Sequence, residues 1–395
     1  MREDRILAEI IKETHAKLRE KVQSVNDDLS ANKIETEDTI WNEHADERMS
    51  VKLEEHSKCN TSAQLCYSEA MKKLADNHWC HNIEKRKNEG ERSSRIEWLI
   101  KHINKYRQCD HQKFQERLLK RKHYDKVKTI SDSLDKNPNK GLLKKKINND
   151  TYNILDVGSC YNPLSDQFPN DNVKVTAIDL SPSSKSVYKC DFLRVPIVEI
   201  SKCVVMTKDE ASDSVESLKE NGYDVIIFCL LLEYLPSPRL RYKACERAKR
   251  LLKTNGLLLI VTPDSSRNHA KNERQMKSWR LALANMGMLR IYIENQKHLR
   301  FLGFVKVDQE TFGDICIEEA EKIKNKVLNK NRNTSGINTS NSEDFVMDER
   351  LMFIPQDKTT QLLLKQSLNI EHNQDLEASS AEEAHLQEFL GDFSL

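Results

Sequence analysis

The sequence predicts an α/β fold: a mainly parallel sheet with helices on both faces, preceded by an all-α module and followed by a disordered, acidic tail. Three observations carry this. Residues 1–128 show helical periodicity, no Pro and a single Gly, Gly90. From residue 152 short apolar runs alternate with helical patterns, as in successive βαβ units. The last 25 residues contain seven acids and no Lys or Arg, a composition that cannot build a core. The chain divides into a helical module (1–128), a basic linker (129–150), the α/β domain (151–328) and the tail (329–395).

Bulk composition agrees. The 395 residues are 32% charged and 38% apolar, with a mean hydropathy of −0.70. That apolar share lies below the ~45–50% of ordinary globular domains, so a core is expected in only part of the chain. A net charge of +1 gives no global reason to expect nucleic acid or an anionic membrane. The ten cysteines are scattered, with no Cys-x-x-Cys pair, so no metal site is expected and a reducing compartment is the default. No apolar run approaches the length of a bilayer span.

In the helical module Ile6, Leu7, Ile10, Ile11 and Leu18 recur at helical spacing. The pattern continues less cleanly around Trp41, Met49, Val51 and Leu53. Residues 62–82 read as a helix with Leu65, Met71, Leu74 and Trp79 near one face. After Gly90, Ser93 or Ser94 can cap a helix holding Ile96, Trp98, Leu99 and Ile103. A further helix is expected through Phe114, Leu118 and Leu119. The linker runs from Lys120-Arg121-Lys122-His123 to Lys144-Lys145-Lys146. Such basic runs could hold RNA phosphates, but charge patterning favours a solvated linker.

In the α/β domain strands are expected at Asn153–Val157, Val173–Ile178, Asp224–Cys229 and Leu257–Val261. Arg239–Leu252 reads as a helix ending at Asn255-Gly256, a pair that suits a C-cap. Another helix is expected over Glu273–Asn285, ending at Gly287. The runs Met288–Ile293 and Phe301–Val307 are too close for a crossover helix and predict an antiparallel end to the sheet. Residues 308–328 read as a helix, and Phe345–Ile354 is an apolar island with no assigned role.

The chemistry gathers at strand ends. Gly158 follows the first strand, where a glycine permits positive φ or close approach by a ligand. The full G-x-G-x-x-G is missing: Gly158-Ser159-Cys160-Tyr161-Asn162-Pro163 has one glycine. Asp179 ends the second strand, where an acid can accept hydrogen bonds from both ribose hydroxyls; its plainer role is to cap the Ser181-Pro182 turn. Asp191-Phe192 could hold an adenine, the carboxylate accepting from the amino group and Phe192 packing on the ring, or could be a turn cap and a core residue. The buried strand ending at Cys229 runs into Leu230-Leu231-Leu232-Glu233-Tyr234-Leu235-Pro236 at the same edge. Four elements in this order fit S-adenosylmethionine better than NAD, whose sites carry the fuller glycine fingerprint.

The segments ILDVGSCYNPL, AIDLSPSSKSVYKCDFLRV, FCLLLEYLPSPRLR and LLLIVTPDSS resemble the SAMTOR family, the S-adenosylmethionine sensors of TOR signalling, which are homologous to the fungal 25S ribosomal RNA adenine methyltransferases. The resemblance is densest over 152–266, extends to 307, and covers the helical module more loosely. It implies a Rossmann-like class I methyltransferase sheet with S-adenosyl-L-methionine as the cofactor. It further implies that Gly158 lies against the methionine part, that Asp179 holds the ribose, and that Asp191 and Phe192 hold the adenine. Cys229 stands where relatives often have Ser, leaving only its backbone to contact the ligand. Arg95, in Arg95-Ile96-Glu97-Trp98, looks placed to fork onto the methionine carboxylate or to be a surface helix residue.

Whether the chain transfers a methyl group is left open, and no catalytic residue is assigned. Adenine N6 methyltransferases carry a polar-Pro-Pro-aromatic loop after the fourth strand; here Leu232-Glu233-Tyr234-Leu235-Pro236 replaces it, with Tyr234 available to stack on a base. N1 transfer does not need that loop. The resemblance implies a nutrient sensor whose unliganded form associates with the GATOR and KICSTOR complexes and inhibits TOR complex 1, the ligand releasing them. It would be cytoplasmic, reaching the lysosome through its partners. The alternative is an active methyltransferase acting on rRNA adenine.

Overall fold

A computed structural model describes residues 3–27, 33–50, most of 70–74, 95–109, 151–168, 172–199, 206–207, 214–264, 269–296, 299–308, 351–354 and 357. The expected helix through Phe114, the linker, the 308–328 helix, Leu65, Trp79, and the Ser93 and Ser94 caps lie outside them. The described helices are α1 (Glu3–Asp27), α2 (Lys33–Ser50), α3 (Arg95–Arg107), α4 (Pro238–Leu251) and α5 (His269–Asn285). The main strands are β1 (Tyr152–Val157), β2 (Val173–Asp179), β8 (Tyr223–Cys229), β9 (Leu252–Pro263), β10 (Met288–Gln296) and β11 (Leu299–Lys306). Between β2 and β8 lie the two-residue strands β3 (Tyr188–Lys189), β4 (Ile197–Val198), β5 (Met206–Thr207), β6 (Ser214–Val215) and β7 (Leu218–Lys219). No described helix is long and apolar enough to cross a membrane.

The described strands form one nine-stranded sheet in the order β10-β11-β9-β8-β1-β2-β3-β6-β5, with β4 and β7 paired separately. β1 pairs in parallel with both β2 and β8, and β8 with β9. Such central strands are covered on both faces, which is why β8, Tyr-Asp-Val-Ile-Ile-Phe-Cys, is apolar almost throughout. Its side chains alternate between two cores. Ile226 and Phe228 join Leu155, Leu258 and Ile260 on the face covered by α4 and α5. Val225 and Ile227 join Ile154 and Leu257 on the other, covered by Trp98, Leu99 and Ile103 of α3. The expected antiparallel end is present: β10 pairs with β11, and β11 with β9.

One boundary differs from the sequence reading. The chain passes from α4 directly into β9 at Leu252, so Asn255-Gly256 is not the helix C-cap. Asn255 has φ +61 inside the strand, where the register to β8 jumps from Tyr223↔Leu252 to Val225↔Leu257. The left-handed residue therefore serves a bulge, which Tyr106 pins by donating a 2.7 Å hydrogen bond to the Asn255 carbonyl.

Helices α1 and α2 sit on the α4 side, opposite α3. Leu18, Val22, Ile40 and Trp41 of α1 and α2 belong to the same core as Leu155 and Phe228. Polar contacts fix α2 at the start of α4. Ser237, the N-cap, accepts from the Leu240 amide and donates to Glu37 at 2.9 Å. Arg239 donates to Glu37 (3.2 Å) and Asp38 (2.7 Å).

The island near residue 350, given no role by the sequence, is docked where it is described. Met352 and Ile354 are buried in the α4/α5 core. Trp279 and Ser278 of α5 donate to the carbonyls of Phe353 (2.8 Å) and Leu351 (2.7 Å). Arg241 of α4 donates to the Met352 carbonyl (2.7 Å) and to the Asp357 carboxylate.

Candidate functional site

The C-terminal ends of β1, β2 and β8, the edge where open α/β sheets bind ligands, open into a cavity of about 220 Å³ closed over by α1, α2 and the start of α3. Gly158, Asp179, Asp191, Phe192 and Cys229 line it from the α/β domain, and Arg95 from α3. All six residues singled out in the sequence thus face one space.

Gly158 takes φ +74, and a Cβ added there would stand 2.9 Å from Leu231 Cδ1. The positive φ allows the chain to turn off β1 so that the Gly158 and Ser159 amides return to the Ile178 carbonyl of β2. Asp179 accepts from the Cys160 amide at 3.0 Å and the Ser181 amide at 2.7 Å. The turn-capping role is therefore filled. Beneath lies Asp156, whose Oδ2 accepts from Ser159 Oγ at 2.7 Å. Burial, with some help from Asp179, pushes the Asp156 carboxyl up to about 6 against the pull of Ser159 and Arg95.

Asp191 accepts from the Leu193 amide (2.9 Å) and from the indole N–H of Trp41 (3.2 Å), and burial raises its pKa. Phe192 packs edge-on against Phe228 at 5.7 Å between ring centroids. The guanidinium of Arg247 lies 5.9 Å from the Phe192 ring and donates to its carbonyl at 2.7 Å. The Cys229 thiol, at the tip of β8, is pushed up to about 11 by burial against the field of Arg95, so it is a neutral thiol at physiological pH.

The segment after β8 forms the 3₁₀ turn Leu232–Tyr234. Tyr234 lines the cavity and stacks on His15 of α1 with ring centroids 4.4 Å apart. Arg19 of α1 donates to the Glu233 carbonyl at 3.4 Å. Glu233 itself is half-buried at the cavity wall, bonded through Oε1 to Thr262, and desolvation pushes its carboxyl up to about 7.

A family described as a methyltransferase domain matches residues 104–301. A protein named S-adenosylmethionine sensor upstream of mTORC1 from Xenopus laevis is 32% identical over 320 residues, covering 78% of this chain and 72% of the relative. The protein of that name from Danio rerio is 32% identical over 323 residues with the same shares. The chain belongs to the family of S-adenosylmethionine sensors upstream of mTORC1. Among solved structures, a SAM dependent methyltransferase from Aquifex aeolicus matches 40% of this chain and 84% of its own at 19% identity, with a TM-score of 0.28.

Family membership makes the residues that the sequence did not single out informative. His15 and Arg19 from α1, Trp41 from α2, and Leu231 and Glu233 after β8 also line the cavity. Trp41 carried the one usable signal, a large aromatic in an otherwise polar helix; its hydrogen bond to Asp191 joins residues 150 positions apart and no local pattern reveals it.

Proposed function

We propose that this chain is an S-adenosylmethionine sensor of TOR complex 1 signalling. One observation carries the reading: residues from the sheet edge and from the helical module wall the same cavity, so a ligand there touches both. Within it Asp179 would hold the ribose hydroxyls, Asp191 and Phe192 the adenine, and Gly158 the methionine backbone. Arg95 would take the methionine carboxylate, and the Cys229 backbone would close the edge. We assign residues 1–128 to the helical module, 129–150 to a linker, 151–328 to the ligand-binding domain and 329–395 to a tail docked at least around residue 352.

The donor set suits the ligand. Four carboxylates, Asp156, Asp179, Asp191 and Glu233, surround a site for a molecule whose sulfonium and ammonium are both positive. Trp41 already uses the Asp191 carboxylate that the adenine amino group would share, and α2 continues through Glu37 and Asp38 to α4. Ligand and helical module therefore meet at one group, the condition for a bound molecule to shift a conformational equilibrium. In the full reading the unliganded form associates with the GATOR and KICSTOR complexes and inhibits TOR complex 1, the ligand disrupts that association, and the partners bring the protein from the cytoplasm to the lysosome.

The test is a pull-down of GATOR and KICSTOR subunits with increasing S-adenosylmethionine. Loss of both partners from the wild type, but not from Asp179→Ala, is the expected result; indifference to ligand would end the sensor reading. The methyltransferase-domain match over 104–301 keeps one other reading in play, transfer to an rRNA adenine. Methyl incorporation from labelled S-adenosylmethionine into ribosomal RNA, abolished in Asp179→Ala, would establish it; the stacking of Tyr234 on His15 argues against it.

A further inference from the structure

Glu233 is a half-buried acid with one carboxylate oxygen shut off from solvent. Oε1 accepts from Thr262 on β9, while Oε2 is closed to solvent and has no hydrogen-bond partner among the described residues. The surrounding cations are committed elsewhere. Arg241 of α4 directs its guanidinium to Met352, Leu235 and Asp357. Arg19 of α1 reaches the Glu233 backbone carbonyl instead. The other ionisable neighbours are Cys229 at the end of β8, His15 of α1, stacked on the adjacent Tyr234, and, beyond Cys229, Asp156 of β1 and Arg95 of α3. A carboxylate oxygen shut off from water without a partner is costly, and Glu233 lines the cavity that a ligand would fill.

Strand order says which part of the ligand arrives there. Along the edge the tips run β8-β1-β2-β3. Asp191 follows β3 and Asp179 ends β2, which puts adenine and ribose on that side. Glu233 follows β8, across Gly158, on the side left for the sulfur and the amino acid.

We propose that Glu233 is a specificity residue for ligand charge: its free Oε2 supplies the counter-charge for the sulfonium and makes S-adenosylmethionine bind in preference to the neutral thioether S-adenosylhomocysteine. This rests on the S-adenosylmethionine reading of the cavity. Burial holds the Glu233 carboxyl at about 7 without ligand, so the preference grows as pH rises and the carboxylate forms.

The experiment is titration calorimetry of the full chain with both ligands at pH 6 and pH 8, for the wild type and Glu233→Gln, which keeps the shape and an oxygen for Thr262. The wild type is expected to bind S-adenosylmethionine about tenfold more tightly at pH 8, the scale of one charge-assisted contact, with a smaller ratio at pH 6. Glu233→Gln should lose that factor for S-adenosylmethionine only, and its ratio should not change with pH. Both ligands carry the same ammonium, so equal loss for both would assign Glu233 to the amino acid end and overturn the proposal. An unchanged ratio in the variant would overturn it too. The wild-type pH arm needs no variant, and a pH-independent ratio there counts against the proposal even if Glu233→Gln misfolds. Wild-type protein that binds neither ligand would instead remove the S-adenosylmethionine reading itself.

Discussion

Arg241 is the side chain whose loss should be felt farthest. It has no solvent exposure, and its guanidinium joins three pieces of chain: the Leu235 carbonyl beside the cavity (2.8 Å), the Met352 carbonyl (2.7 Å) and the Asp357 carboxylate. Asp357 is equally buried and otherwise accepts from the Ile354 amide at 3.0 Å. Burial raises the Asp357 pKa and Arg241 opposes the rise. Arg241→Met keeps much of the volume but leaves a buried acid without its cation and two carbonyls without donors. Breaking one side of such a pair costs about 3–5 kcal/mol, a large share of the ~5–15 kcal/mol that holds a typical domain. The double variant Arg241→Met, Asp357→Leu removes both charges, and should recover at least half of that loss. Urea unfolding followed by Trp fluorescence reads this directly, because Trp279 donates to the Phe353 carbonyl in the same segment. A single variant costing under ~1 kcal/mol, within the range of an exposed pair, would refute the reasoning. A double variant no better than the single would refute it as well.

Three further outcomes follow from the site. Gly158→Ala forces a Cβ onto a φ of +74 and against Leu231; it should cost ~1–2 kcal/mol of stability and drive Leu231 into the cavity, raising the S-adenosylmethionine Kd about tenfold or more by calorimetry. Unchanged affinity would remove Gly158 from the site. Asp179→Ala should weaken binding by ~2–3 kcal/mol if both ribose hydroxyls are held, and equal affinity in the two proteins would dismiss that role. The third concerns pH. The folded Asp156 carboxyl, at about 6, lies above its unfolded value, so the folded protein holds that proton more tightly. Its stabilising contribution is full below about pH 4 and is lost as pH rises through about 6, at most ~3 kcal/mol. Asp156→Asn should flatten that fall in urea midpoints between pH 4 and 7; parallel profiles would contradict it.

The central strands were legible because their apolar residues cluster in short runs, most continuous in β8: β1, β2 and β8 lie within a residue of where the sequence puts them. The antiparallel β10–β11 pair was legible for a different reason, the short spacing between two apolar runs. The start of β9 was not, because a left-handed Asn before Gly serves a helix cap and a strand bulge equally, and only the pairing with β8 distinguishes them. Two-residue strands such as β3 and β6 are too short for any period to show. The segment around Met352 looked like an isolated apolar island because what anchors it, Arg241 and Trp279, lies far away in sequence.

For the site, the acids that end or follow strands were readable, because strand ends converge on one edge of a parallel sheet whatever the loops do. What covers that edge was not. Helical spacing showed that α1 had an apolar face and was less clean around Trp41, and it did not show that Trp41 would reach Asp191 or that His15 would stack on Tyr234. Glu233 was visible within Leu-Glu-Tyr-Leu-Pro, yet the closing-off of its Oε2 comes from packing, which a motif does not report. The assembled cavity has a consequence that no single residue has. Asp156, Asp191 and Glu233 are each pushed upward by burial, so the ligand-free site resists carrying all its negative charge at once. In the proposed reading a cationic ligand would relieve that cost as it binds, whereas a neutral analogue of the same shape would not, so the site would respond to the ligand's charge as well as to its shape.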